Sequence, residues 1–183
     1  MTIIDFKTAF YYPFNRPAGL WNILWILLPI IGWFALFGYT IVIIKHFIKA
    51  NFKELPEFNF MKNLELGFWM FIKMIPLMAA YMAVQFVTVR LPVIGRLVML
   101  FISLFVLPIL VINFFNKETV ESCFELRKVK PVFENLVEYL MVLLKSLALQ
   151  LVFLVMILVL VGLPAGTFTK NIFIADFYGK YIK

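Results

Sequence analysis

Two lysines lie inside apolar runs where a charge needs a reason. Lys73 is the only charged residue between Leu66 and Val89, and Glu138 and Lys145 are the only two between Val137 and Leu163. A charge at the centre of a bilayer costs about 2.5–3.5 kcal/mol on insertion scales, so such residues reach a headgroup, find a partner or line a site. Each lysine sits about two turns into its run, about 10–12 Å along a helix. Glu134, Glu138 and Lys145 fall within about 40° of one another at 100° per residue, forming one polar stripe. Three chemistries are open to these side chains. The ammonium groups can snorkel to phosphates on their flexible stems. Lys145 can pair with Glu138. Or Lys73, Glu138 and Lys145 can converge between two helices as a basic pocket for an anionic headgroup or solute.

A second polar group follows the first apolar run. Lys45, Lys49 and Lys53 recur every four residues, with His46 beside them and Phe47, Ile48 and Phe52 on the rest of the wheel. That pattern suits an amphipathic helix lying on a membrane, its basic residues contacting lipid phosphates. The other chemistry is sparse. One cysteine, Cys123, and one histidine, His46, build neither a Cys/His metal site nor a His-paired nucleophile, so no metal and no catalytic residue is assigned. No cofactor is expected, because the chain has no glycine-rich phosphate loop of the Walker or Rossmann kind.

The elements that position these residues follow from composition. Of 183 residues, 64% are hydrophobic and 15% charged, against roughly 45–50% and about 25% in soluble domains. Mean hydropathy is +0.98. A net charge of +7 comes from basic residues scattered beside apolar runs, with no arginine-rich tract, so nucleic acid is not a partner. Four stretches match the roughly 20 apolar residues that cross a bilayer, at about 20–44, 66–89, 97–115 and 137–163. Continuous runs of this length form helices, since hydrocarbon leaves no other donor or acceptor for the backbone. The expectation is an all-α integral membrane bundle of about four transmembrane helices in a single domain, 1–183.

The first stretch belongs to a run of 28 uncharged residues, Pro17 to Ile44, too long for a signal-peptide core and expected to stay in the mature protein. It contains Pro29, Gly32 and Gly38, which mark a helix break. Two forms are open: one kinked span, which the need to cover a re-entrant backbone favours, or a half-helix over Leu20–Leu28 that turns back before a longer helix. Pro76 and Pro108 interrupt the second and third spans. Interfacial segments are expected at about 45–58 and 117–128, as two amphipathic helices, and at about 168–183, as an aromatic and lysine-rich tail.

In an alternating four-span arrangement, eight Lys and Arg flank one face and seven the other. Adding Lys73 and Lys145 makes it ten to seven, which leans the loops 45–65 and 116–136 toward the cytoplasm.

The stretch Trp21–Gly67 resembles a family of prokaryotic membrane proteins of unknown function, DUF4013. The resemblance rests on an apolar segment broken by Pro29, then Gly38-Tyr39, a basic stretch, Leu55-Pro56-Glu57-Phe58, and Gly67 opening the next span. The ending Phe177-Tyr178-Gly179-Lys180-Tyr181 resembles the family's closing segment. Val42 and Phe58 depart from its pattern, where Arg and Trp are usual. The resemblance implies a polytopic helical protein of the prokaryotic cytoplasmic membrane and transfers no catalytic residue. Two functions follow. One is a non-catalytic accessory, scaffold or lipid-interacting subunit, with lipids, further copies or other membrane subunits as partners. The alternative is a small transporter or permease subunit with its polar site between spans two and four.

Overall fold

The computed structural model describes residues 3–91 and 93–183. Among these the chain is helical and contains no strand. Nine α-helices follow one another: α1 (Phe6–Tyr11), α2 (Ile31–Ile48), α3 (Phe60–Thr88), α4 (Ile94–Phe101), α5 (Leu107–Lys117), α6 (Lys130–Glu134), α7 (Leu136–Met156), α8 (Gly162–Thr169) and α9 (Ile172–Tyr181). Four stretches are long and apolar enough to cross a membrane: α2, α3, the 24-residue run Ile94–Lys117 that joins α4 to α5, and α7. Their number is the expected one, while their bounds shift, most at the first, which begins at Ile31 rather than near residue 20.

At Pro29 the chain turns back on itself, as in the second of the two forms, rather than continuing as a single kinked helix. Pro17–Leu27 is a 3₁₀ helix, Leu28 is extended, and Ile30 adopts φ 65° before α2 begins. The 3₁₀ segment folds back along α2, and the Trp33 indole N–H donates to the Ile26 carbonyl at 3.0 Å. Gly32 makes the reversal possible, because a Cβ there would collide with the Trp25 carbonyl.

α2 and α3 run in the same direction, whereas an up-and-down bundle would set consecutive spans antiparallel. Ile31 and Met61 share one depression near their starts, and Lys45 and Lys73 both reach Glu118 further along. Between these points Gly38 packs on Gly67: a Cβ on either would strike a carbonyl of the facing helix, Asn63 or Phe34. Gly38 therefore serves close helix packing rather than the break. The connection from Lys49 to Asn59 returns along α2. Its Leu55 is buried, the Tyr39 hydroxyl donates to the Pro56 carbonyl at 2.9 Å, and Lys53, Glu54 and Glu57 stay exposed. The amphipathic helix expected over 45–58 is thus the end of α2 followed by an extended strap. Ala50 at φ 55° and Pro56 in mid-strap both work against a continued helix.

Residues 117–128 also differ from a surface helix. They form two 3₁₀ turns, Glu121–Phe124 and Leu126–Val129. The largest difference lies at the end of the chain. The tail expected at the interface is a buried helix: Ile172 through Tyr178 are all buried in α9, which packs against α2, α5 and α7.

The prolines have different outcomes. α3 continues through Pro76 as one helix. Pro108 follows a π-helical turn, Ile102–Val106, and has no N–H to give the Leu104 carbonyl four residues back. The Tyr139 hydroxyl donates to that carbonyl at 2.6 Å, which ties α7 to the irregular turn.

Candidate functional site

The polar centre of the molecule gathers at the end of α5. After Lys117 the chain turns at Glu118, which takes left-handed φ 59° and donates its N–H to the Phe114 carbonyl at 2.7 Å. The final carbonyls of a helix carry partial negative charge. Lys73 on α3 uses this by donating to the Glu118 carbonyl at 3.0 Å, while Lys45 on α2 pairs with the Glu118 carboxylate. One residue thus engages two lysines from two different helices. Lys73 and Glu118 also line an open depression of about 310 Å³ with Lys62, Glu65 and Trp69. Two acids and two lysines face it together, so its charges balance.

A network with a buried core, Asn113, Ser122 and Tyr178, lies next to this hub. Asn113, inside the apolar α5, receives the Tyr178 hydroxyl at 2.6 Å and donates to the Ser122 carbonyl at 2.8 Å and to Glu125 at 3.3 Å. Lys117 closes the network on Glu125 at 2.6 Å. The Lys117 hydrogen bond holds the Glu125 carboxyl below its ordinary range, opposed by partial burial. Burial pushes the Tyr178 hydroxyl up. Burial, followed by the charge of Glu121, pushes the Cys123 thiol up to about 11, which makes it a poor nucleophile at neutral pH.

A third cluster ties the N-terminal segment to α9. Asp176, 1% exposed, accepts the Ile4 N–H at 2.7 Å and Lys180 at 2.6 Å. Lys145 donates to the Ile4 carbonyl at 3.4 Å, so both backbone groups of Ile4 are engaged.

Lys73 and Lys145 therefore go to different carbonyls, Glu118 and Ile4, and Glu138 stands exposed on the first turn of α7. The pocket expected between spans two and four is not assembled from these residues, because α7 packs on α8 and α9. Lys45 joins the Glu118 hub. Lys49 and Lys53 are exposed, and His46 is half-buried with its Nδ1 unpartnered. The depressions flanking the Pro29 break are lined mainly by apolar residues such as Ile23, Trp33, Ile30 and Phe34, and Lys73 lines neither. No group of three or more His, Cys, Asp or Glu is placed to hold a metal among the described residues.

Sequence reasoning missed Glu118, Asn113, Tyr178 and Asp176. Two of them carried a signal. Asn113 is an amide within an apolar run, and Asp176 is a lone acid in an aromatic segment with Lys180 one turn on. Glu118 carried none, since its role depends on where two distant lysines arrive.

Residues 22–162 match the family described as "Protein of unknown function (DUF4013)". No curated protein and no solved structure matches the chain.

Proposed function

The chain belongs to the DUF4013 family, and we propose that it is a non-catalytic membrane component: an accessory, scaffold or lipid-interacting subunit that works through the sides of its helices. The observation that carries this reading is the apolar surface of α3, α4 and α7. Met82, Phe86, Val87, Leu97, Leu100, Leu144, Leu147 and Leu154 are all exposed on helices long enough to span a bilayer. A water-soluble surface does not present apolar area on this scale, whereas lipid or partner helices cover it. The membrane is the prokaryotic cytoplasmic membrane that the family resemblance implies. Lys45 and Glu118 pair where α2 and α5 end, which supports placing those two ends on one side. The positive-inside count assumes alternating spans, and with α2 and α3 parallel, residues 45–65 join opposite ends of the two helices. The cytoplasmic assignment is therefore kept for the ends of α2 and α5 alone, with their Lys45, Lys49, Lys117, Arg127, Lys128 and Lys130.

The transporter alternative draws on the broken first segment and the intramembrane lysines. It gains little support, because Lys73 and Lys145 are each engaged by a backbone carbonyl and stand apart from the Pro29 break.

Purification from native membranes in mild detergent tests the reading. A stable complex with another membrane subunit, or a lipid-loaded form without solute binding, is the expected result. A symmetric homodimer enclosing a polar, solute-binding cavity would overturn it in favour of transport.

A further inference from the structure

α3 and α4 form a hairpin whose far end carries two positive charges and no negative one. From Leu66 through Lys117 the sequence contains no Asp or Glu. Lys73 is engaged at the near end by Glu118, which leaves Arg90 and Arg96 at the turn. Both are exposed, and neither has an ion-pair partner among the described residues. The far end of the hairpin is therefore a net positive surface.

The geometry there forms a defined notch. Gly95 is buried, and a Cβ on it would collide with the Thr88 carbonyl, so the α4 backbone sits directly on the end of α3. This close approach leaves a depression of about 280 Å³ lined by Gln85, Thr88, Leu91, Gly95, Arg96 and Met99. Thr88 already donates its hydroxyl to the Val84 carbonyl at 2.9 Å, so the available donors are the Gln85 amide and the Arg96 guanidinium. Arg90 is held 5.3 Å over the ring of Phe86, a cation–π contact that orients a second guanidinium at the same end. Immediately beside the notch, Val87, Val89, Leu97 and Leu100 expose apolar side chains.

We propose that this notch binds the phosphate of an anionic phospholipid, with Arg96 and Gln85 donating to the phosphate oxygens and Arg90 supplying the second charge. Guanidinium groups match the paired oxygens of a phosphate. The neighbouring apolar residues select a lipid over a free phosphate, because they give the acyl chains a surface continuous with the headgroup site. The inference rests on the membrane-component reading and adds a headgroup class and the residues that select it.

The test is native mass spectrometry of the purified full chain in a neutral detergent, offered phosphatidylglycerol and phosphatidylcholine in equal amounts. Phosphatidylglycerol should be retained preferentially. A basic residue near an anionic surface contributes about fivefold, so the double variant Arg90→Gln/Arg96→Gln should lose about 25-fold of that preference. Lys7→Gln, exposed on α1, should leave it unchanged. No preference in the unmodified protein overturns the proposal without any variant, as does a preference that survives in the double variant. Displacement of the lipid by millimolar glycerol phosphate would make the ligand a soluble anion instead. Extraction of native membranes at alkaline pH separates the two levels of the argument. A chain that resists extraction but shows no lipid preference defeats only this site, whereas a chain that is extracted defeats the membrane reading as well.

Discussion

α2 and α3 are built from similar residues and have opposite surroundings. Over their apolar stretches 56% of α2 is buried and 11% of α3. α2 is enclosed by the returning 3₁₀ segment, the Lys49–Asn59 strap, α3 and α9, while the far half of α3 has α4 as its main neighbour. Apolar composition sets the need to leave water without setting what does the covering. In α2 the cover is protein, bought through glycines that let backbones touch and through polar groups that each find a partner. In the α3–α4 hairpin the cover lies outside the chain. The two regions should therefore respond differently to substitution.

The largest effect is expected at the polar anchor of the packed region. Asp176→Ala removes a buried carboxylate that the Ile4 N–H and Lys180 both use, and should destabilise the protein by about 3 kcal/mol. Thermal unfolding in detergent measures this, and a change below about 1 kcal/mol would remove α9 from the centre of the account. Next comes Gly38→Leu, which drives a side chain into the Asn63 carbonyl and should cost about 3 kcal/mol. Its counterpart on the exposed hairpin, Val87→Ala, should stay within about 0.5 kcal/mol in the same assay. Equal losses at the two positions would break the distinction.

How far the sequence foretold this can be judged from particular segments. The four long apolar helices were legible because 20-residue uncharged runs have one stable backbone in hydrocarbon. The break at Pro29 was legible in place, but its geometry was not: the reversal depends on Gly32 accepting a carbonyl, a contact that composition does not encode. α9 was misjudged because Lys170, Lys180 and Lys183 and its aromatics suit an interface equally well. Its burial depends on faces presented by α2, α5 and α7, which a single segment does not reveal. Lys73 and Lys145 stood out as charges inside apolar runs, open to snorkelling, to a pair with Glu138 or to a shared pocket. The partners were backbone carbonyls of distant turns, which no side-chain pattern announces.

Smaller effects sharpen the polar interior. Tyr178→Phe withdraws a donor from the buried Asn113 and should cost about 1–2 kcal/mol, measured by the same unfolding assay. The smallest effect is pH-dependent. Glu125 has a folded pKa below its unfolded value, so its contribution is complete above the ordinary carboxylate range and is lost as pH falls through the lowered value. Glu125→Gln should flatten this acid-side decline slightly and leave stability at neutral pH nearly unchanged, because the Lys117 pair is partly exposed and screened.

The central claim is that α9 is wrapped by protein while the α3–α4 hairpin is wrapped by lipid. Photo-crosslinking residues placed at Met82, 59% exposed, and at Phe177, fully buried, test it most directly in native membranes. The account predicts that position 82 captures lipid and position 177 captures only the chain itself. Lipid adducts at 177, or capture of a water-soluble probe at 82, would contradict it.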